Sequence, residues 1–94
     1  MTVPVGMTYQ VISVSVNLNI APTTSEDLTI TINSISGSAY DILVYSLDLA
    51  AGSTTDLLWQ PDEDLYLVGG DSLDVDYTNT DGNTFGSIVT VVAV

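Results

Sequence analysis

Carboxylates are the only side chains in this 94-residue sequence, apart from tyrosine, that can take up or release a proton: 12 Asp and Glu stand against no Lys, Arg, His or Cys. Any acid–base catalysis would therefore need two carboxyl groups whose pKa values are pushed apart by their surroundings. Asp74 and Asp76 stand two positions apart in an alternating segment, which puts them on one strand face roughly 7 Å apart. That spacing superficially suits a glycosidase pair. No cationic or aromatic cluster nearby marks a substrate cleft, so the expectation is a solvated strand face, and an enzyme is not expected.

Calcium is the more serious chemical option, because hard cations take carboxylate and carbonyl oxygens. Asp62, Glu63, Asp64, Asp71 and the turn Asn79 to Asn83 all offer them. The EF-hand template fails: with Gly82 on its glycine, Tyr77 falls on the first ligand position and Ile88 on the last, where an acid is required. A loop site of a β-sandwich leaves Asp62, Asp64, Asp71 and Asp81 as candidate ligands, beside the plainer reading of Asn/Asp/Gly turns. Trp59 and the five tyrosines could line a sugar-binding face, yet a lone Trp following Leu57 and Leu58 in a short strand is expected in the core. No cofactor is expected.

The missing residue types exclude more than the present ones suggest. Without Lys or Arg there is no P-loop or Schiff-base lysine and no arginine clamp on phosphate; without His or Cys, no such nucleophile, base or metal ligand. Neutralising a nucleic-acid backbone needs Lys and Arg, so nucleic-acid binding is not expected, nor is docking on anionic lipid. The formal charge is −12, so all side-chain charges repel and added salt should help the fold. No cationic leader precedes an apolar run and no apolar run approaches eighteen residues, so neither a signal peptide nor a membrane span is expected.

Strands and turns must position these groups. About a third of the chain is Val, Ile or Thr, the β-branched set. From Tyr9 to Ile20 the pattern has period two, with Ile12, Val14, Val16, Leu18 and Ile20 on one face and Ser13, Ser15, Asn17 and Asn19 on the other. A loop over Ala21 to Asp27 precedes a second alternating strand carrying Leu28, Ile30 and Ile32. After the turn Ser34 to Ala39, the segment Tyr40 to Leu49 is apolar on both sides in its first half, as expected of a central strand or one covered by a neighbouring subunit. Short strands follow at Thr55 to Gln60, stopped by Pro61, and at Leu65 to Val68, then Gly69 and Gly70 make a tight turn or bulge. Leu73, Val75 and Tyr77 alternate with acids, and Ile88 to Val94 closes the sequence, again apolar on both faces.

This pattern predicts an all-β chain, a single antiparallel β-sandwich (jelly-roll or Ig-like) of about seven to eight short strands. Residues 8–94 form the sandwich. Residues 1–7 are expected as an N-terminal arm or frayed segment, with Pro4 disfavouring regular pairing.

The second half, DILVYSLDLAAGSTTDLLWQPDEDLYLVGGDSLDVDYTNTDGNTFG, resembles small β-sandwich structural proteins of tailed bacteriophages and related viruses. The resemblance rests on an apolar strand ending in LAAGST (Leu49 to Thr54), an aromatic strand (Leu58 to Pro61), a strand leading into GDSL (Tyr66 to Leu73), and an alternating strand with its Asn/Asp/Gly turn (Val75 to Gly82). It implies a capsid decoration or cement protein on the virion exterior, with no catalytic residues and with Gly70 and Asp71 shaping a turn. The implied partners are a major capsid protein or other virion protein and further copies of the chain. A tail, neck or fibre component, and a calcium- or carbohydrate-binding β-sandwich module, are the alternatives.

Overall fold

A computed structural model describes residues 1–94, folded as two antiparallel sheets of seven strands in all, with one three-residue 3-10 turn (Ser38–Tyr40) and no α-helix. The organising strand is β1 (Thr8–Leu18). Along one edge it pairs with β7 (Phe85–Ala93) for nearly its full length. Its other edge is shared end to end by β4 (Asp56–Trp59), opposite Val14 to Asn17, and β5 (Tyr66–Val68), opposite Thr8 to Gln10. These four strands are sheet I. Sheet II has the order β3 (Ile42–Asp48), β2 (Asp27–Asn33), β6 (Ser72–Asp76). The expected all-β sandwich is therefore what the chain forms.

The alternation of β1 does not run unbroken. Its register against β7 slips between Val11 and Ser13, leaving Ile12 as a bulge, and a bulge moves the residues beyond it to the other face. Val14, Val16 and Leu18 point inward as expected, but on the far side of the bulge it is Val11 that is buried, while Ile12 is 40% exposed. The opposite edge breaks at the same level. There the Pro61 loop bulges out between β4 and β5, and the Val11 N–H closes the gap by donating to the Leu65 carbonyl.

The core between the sheets is small and wholly apolar: Val3, Val11, Val14, Val16, Leu18, Leu28, Ile30, Ile32, Leu49, Leu67 and Leu73, with no buried charge. Trp59 faces inward beside Tyr45, ring centroids 6.2 Å apart, and Tyr77 packs on Phe85 at 5.6 Å. The expectation that Tyr40 to Leu49 is a central strand is corrected. As β3 it is the edge of sheet II, with a bulge at Val44 and with Ile42 and Leu43 more than half exposed.

The N-terminal expectation is also corrected. Val3 is 1% exposed, and Met1 to Val3 lie along the start of β6: Thr2 bridges Ser72, Val3 donates to Asp71 and accepts from Gly70, and Leu73 donates to Met1. Val3 belongs to the apolar core, so residues 1–3 are neither a free arm nor a frayed end. Gly69 makes the approach feasible, because a Cβ there would stand 2.8–2.9 Å from backbone atoms of Pro4, Val5 and Gly6. Gly70 adopts φ +92°, the left-handed region natural to glycine, with Ile35 lying across it.

Candidate binding surface

The strand registers sort the outward side chains of the two sheets into different chemistries. On sheet II the outward rows are Asp48 beside Asp27, then Ser46, Thr29 and Asp76, then Leu43, Thr31 and Asp74. Four carboxylates thus stand on one face. Asp74 and Asp76 share it as expected from their spacing, and Asn33 donates to the Asp74 carboxylate. Asp27 and Asp48 oppose each other directly, a repulsive cross-strand pair. A shallow, open cleft of about 400 Å³ beside them is lined by Asp27, Thr29, Asp76, Tyr77 and Thr78.

Sheet I turns a different face outward. Its rows are Leu58, Ser15 and Ile88, then Tyr66, Gln10 and Val92, then Val68, Thr8 and Val94, the last joined by the Val94 N–H to the Thr8 carbonyl. Leu58 and Ile88 are each 63% exposed, Tyr66 and Val68 52%, Val94 67%. Hydroxyl and amide side chains of β1 run between them. One carboxylate, Asp56, lies at the end of this face and is bound by Asn17 at 2.5 Å. With Ile12, these side chains expose an apolar area on the order of 600 Å², at the upper end of what soluble monomers present.

The candidate calcium ligands occupy three separate places. Asp62 and Asp64 are in the β4–β5 loop, where Asp64 accepts from Gln10 at 3.3 Å. Asp71 is in the β5–β6 turn, its two carboxylate oxygens taken by the N–H groups of Ile35 at 2.9 Å and Val68 at 3.1 Å. Asp81 is in the β6–β7 turn at the opposite end of the sandwich. It accepts from the backbone N–H groups of Thr23 (2.7 Å) and Thr24 (3.1 Å) and from the Thr24 hydroxyl (2.5 Å). No group of three carboxylates is gathered around one point.

The hydrogen bonds around Asp81, the Thr24 hydroxyl first and then the Thr23 and Thr24 amides, hold its carboxyl down at about 2. Glu26 closes the same junction by accepting from the Thr80 N–H at 2.9 Å and from its hydroxyl at 2.5 Å. Asp48 is likewise lowered, chiefly by the Ser25 hydroxyl and then by the Ala50 amide. Beneath this end of the molecule the Tyr77 hydroxyl is buried without a hydrogen-bond partner. Loss of water, and then the negative charges of Glu26, Asp81 and Asp48, raise its pKa.

Sequence reasoning placed Asp74 and Asp76 on one face but did not bring Asp27 and Asp48 to it, and it missed the apolar face of sheet I. The signal was in the exposed partners of β1, which become neighbours only once the register is known. No protein-family model, curated protein sequence or solved structure matches the chain.

Proposed function

We propose that this protein is a non-enzymatic structural module that attaches to a larger protein assembly through the outer face of sheet I and turns the acidic face of sheet II to solvent. The observation that carries the reading is the segregation itself: apolar side chains on one outward face, four carboxylates on the other. Apolar contact drives association without needing cations, and this chain has none to offer. The carboxylates at the rim of the apolar face, Asp56 and Asp62 to Asp64, then choose partners that place Lys or Arg opposite them.

The resemblance to phage structural proteins suggests the assembly: the outer surface of a virus shell, with the chain as a decoration or cement protein bound to the major capsid protein. Such a protein stabilises a shell by linkage, since whatever binds only the assembled state raises the free energy needed to open it. The test is the number of copies per purified particle relative to the major capsid protein. The digest needs an Asp-directed or aromatic-directed protease, because trypsin has no site in this sequence. Hundreds of copies support decoration, a few to a few dozen make the protein a tail, neck or fibre part, and absence from particles refutes the virion reading. The surface reading is tested separately. Leu58→Asp with Tyr66→Asp should abolish attachment while the free domain still folds, whereas Asp74→Asn with Asp76→Asn should leave it intact.

A further inference from the structure

Every open edge of a β-sheet is a row of unpaired N–H and C=O groups that invites another strand, and stable proteins block such edges with charges, proline, bulges or covering segments. Three of the four edges of this sandwich are blocked in those ways. Residues 1–3 lie on β6, which also carries Asp74 and Asp76. β3 has its bulge at Val44, is preceded by Asp41 and ends in Asp48. The β4–β5 edge is interrupted by Pro61 and the acids Asp62 to Asp64. The edge formed by β7 has none of these. Its nine residues, FGSIVTVVA, contain no charge and no proline, and they pair on one side only, with β1.

We infer that two copies of the chain join through β7, antiparallel across a two-fold axis at Thr90, so that sheet I runs on unbroken from one copy into the other. Charge selects the occupant as well as the place. Two molecules of charge −12 repel wherever carboxylates face each other, and neither β7 nor its neighbour β1 contains one. This strip is about 30 Å long at the usual strand rise, and it is where like-charged copies can meet.

The sequence of β7 is complementary to itself in that arrangement. With Thr90 opposite Thr90, Ile88 meets Val92 on the outward face and Val89 meets Val91 on the inward face, so every opposed pair lies on a common face of the joined sheet. The inward face of β7 already carries Val89 and Val91 against the core. Using the single open edge twice closes the assembly, as an isologous contact does, and leaves no further edge for growth. The inference rests on the edge alone and stands apart from what the outward face of sheet I binds.

A chain without cysteine allows a clean test. Opposed residues of antiparallel strands stand about 4.5–5.5 Å apart at Cα, within disulfide reach, so Thr90→Cys should give a covalent dimer under mild oxidation and Leu58→Cys should not. In sedimentation equilibrium the unmodified chain should have twice its chain mass, the dimer fraction rising with added NaCl as repulsion is screened. Thr90→Asp, a change at an exposed side chain that places two charges on the axis, should give a folded monomer. A chain that stays monomeric at millimolar concentration and high salt overturns the inference. So does efficient cross-linking at Leu58→Cys with none at Thr90→Cys, which would mean stacking of the apolar faces, or a mass that keeps growing beyond two copies.

Discussion

Replacing Gly69 by alanine tests how the N-terminal segment is held. The added Cβ would stand 2.8 Å from the Pro4 carbonyl oxygen and 2.9 Å from Gly6 N and Val5 Cα. All three are backbone atoms that no rotamer change can move, so the chain over residues 4–6 must lift. Lifting it exposes Val3, now 1% accessible, at about 2 kcal/mol for a buried valine side chain. It also endangers the backbone bonds from Val3 to Asp71, from Gly70 to Val3 and from Leu73 to Met1, each worth about 1 kcal/mol net. Freeing residues 1–3 recovers about 1–2 kcal/mol of backbone entropy apiece, which offsets the loss of those bonds in full. The expected cost of Gly69→Ala is therefore about 1–2 kcal/mol, read by urea unfolding followed through Trp59 fluorescence, with faster hydrogen exchange at the Gly70 and Leu73 amides. The decisive comparison is a cycle in which residues 1–6 are also deleted: without them the alanine has nothing to strike, and its effect should vanish or become slightly stabilising. An alanine that costs as much in the shortened chain as in the full one, or less than about 0.5 kcal/mol in the full chain, would refute the reasoning.

Acid should open the far end of the sandwich. Because the Asp81 carboxyl is held at about 2, below its ordinary 3.8, its contribution is complete above the ordinary value and is lost as pH falls toward 2. The melting-temperature gap between the native chain and Asp81→Asn should accordingly be widest at neutral pH and close by pH 2. Salt should raise the melting temperature, since the screening length shortens from about 30 Å at 0.01 M to about 10 Å at 0.1 M. Asp27→Asn should capture part of that gain at low salt by removing the repulsion with Asp48 across the strand pair. Tyr77→Phe removes a buried hydroxyl that has no partner and should leave stability within about 1 kcal/mol of the native chain or raise it. A larger loss in thermal or urea unfolding would mean that the hydroxyl is bonded in solution.

The strands were legible because period-two alternation is a local property: the segments around Val14, Ile30 and Val75 declare themselves within a few residues. What misled was also local. Ile12 continues the alternation in sequence, yet the bulge that turns it outward is set by the register against β7 and by the Pro61 loop on the other edge. The two-sided apolar character of residues 40–49 suggested a strand covered on both faces. In the fold Ile42 and Leu43 instead occupy the open end of an edge strand. The first seven residues look like a loose end because nothing in MTVPVGM states that Val3 joins the core and pairs with the Gly70–Asp71 backbone. Asp74 and Asp76 could be placed from spacing along one strand, whereas Asp27 and Asp48 join them only through the pairing of β2 with β3 and β6, and the apolar face of sheet I is assembled from β1, β4, β5 and β7. Leu58 and Ile88 share no sequence neighbourhood and become a pair only through Ser15 between them.

The placement of the two ends has a mechanical consequence. Val94 is bonded beside Thr8, and Met1 beside Leu73, so both ends leave the sandwich at one pole, while the Asp81 and Glu26 junction lies at the other. A pull between Met1 and Val94 would first strip the short Met1 to Val3 contact and then peel β7 from β1 one bond at a time, as a zipper opens, instead of loading all their bonds together. Traction on the ends meets little resistance, whereas a load spread over the sheet faces bears on the whole core at once.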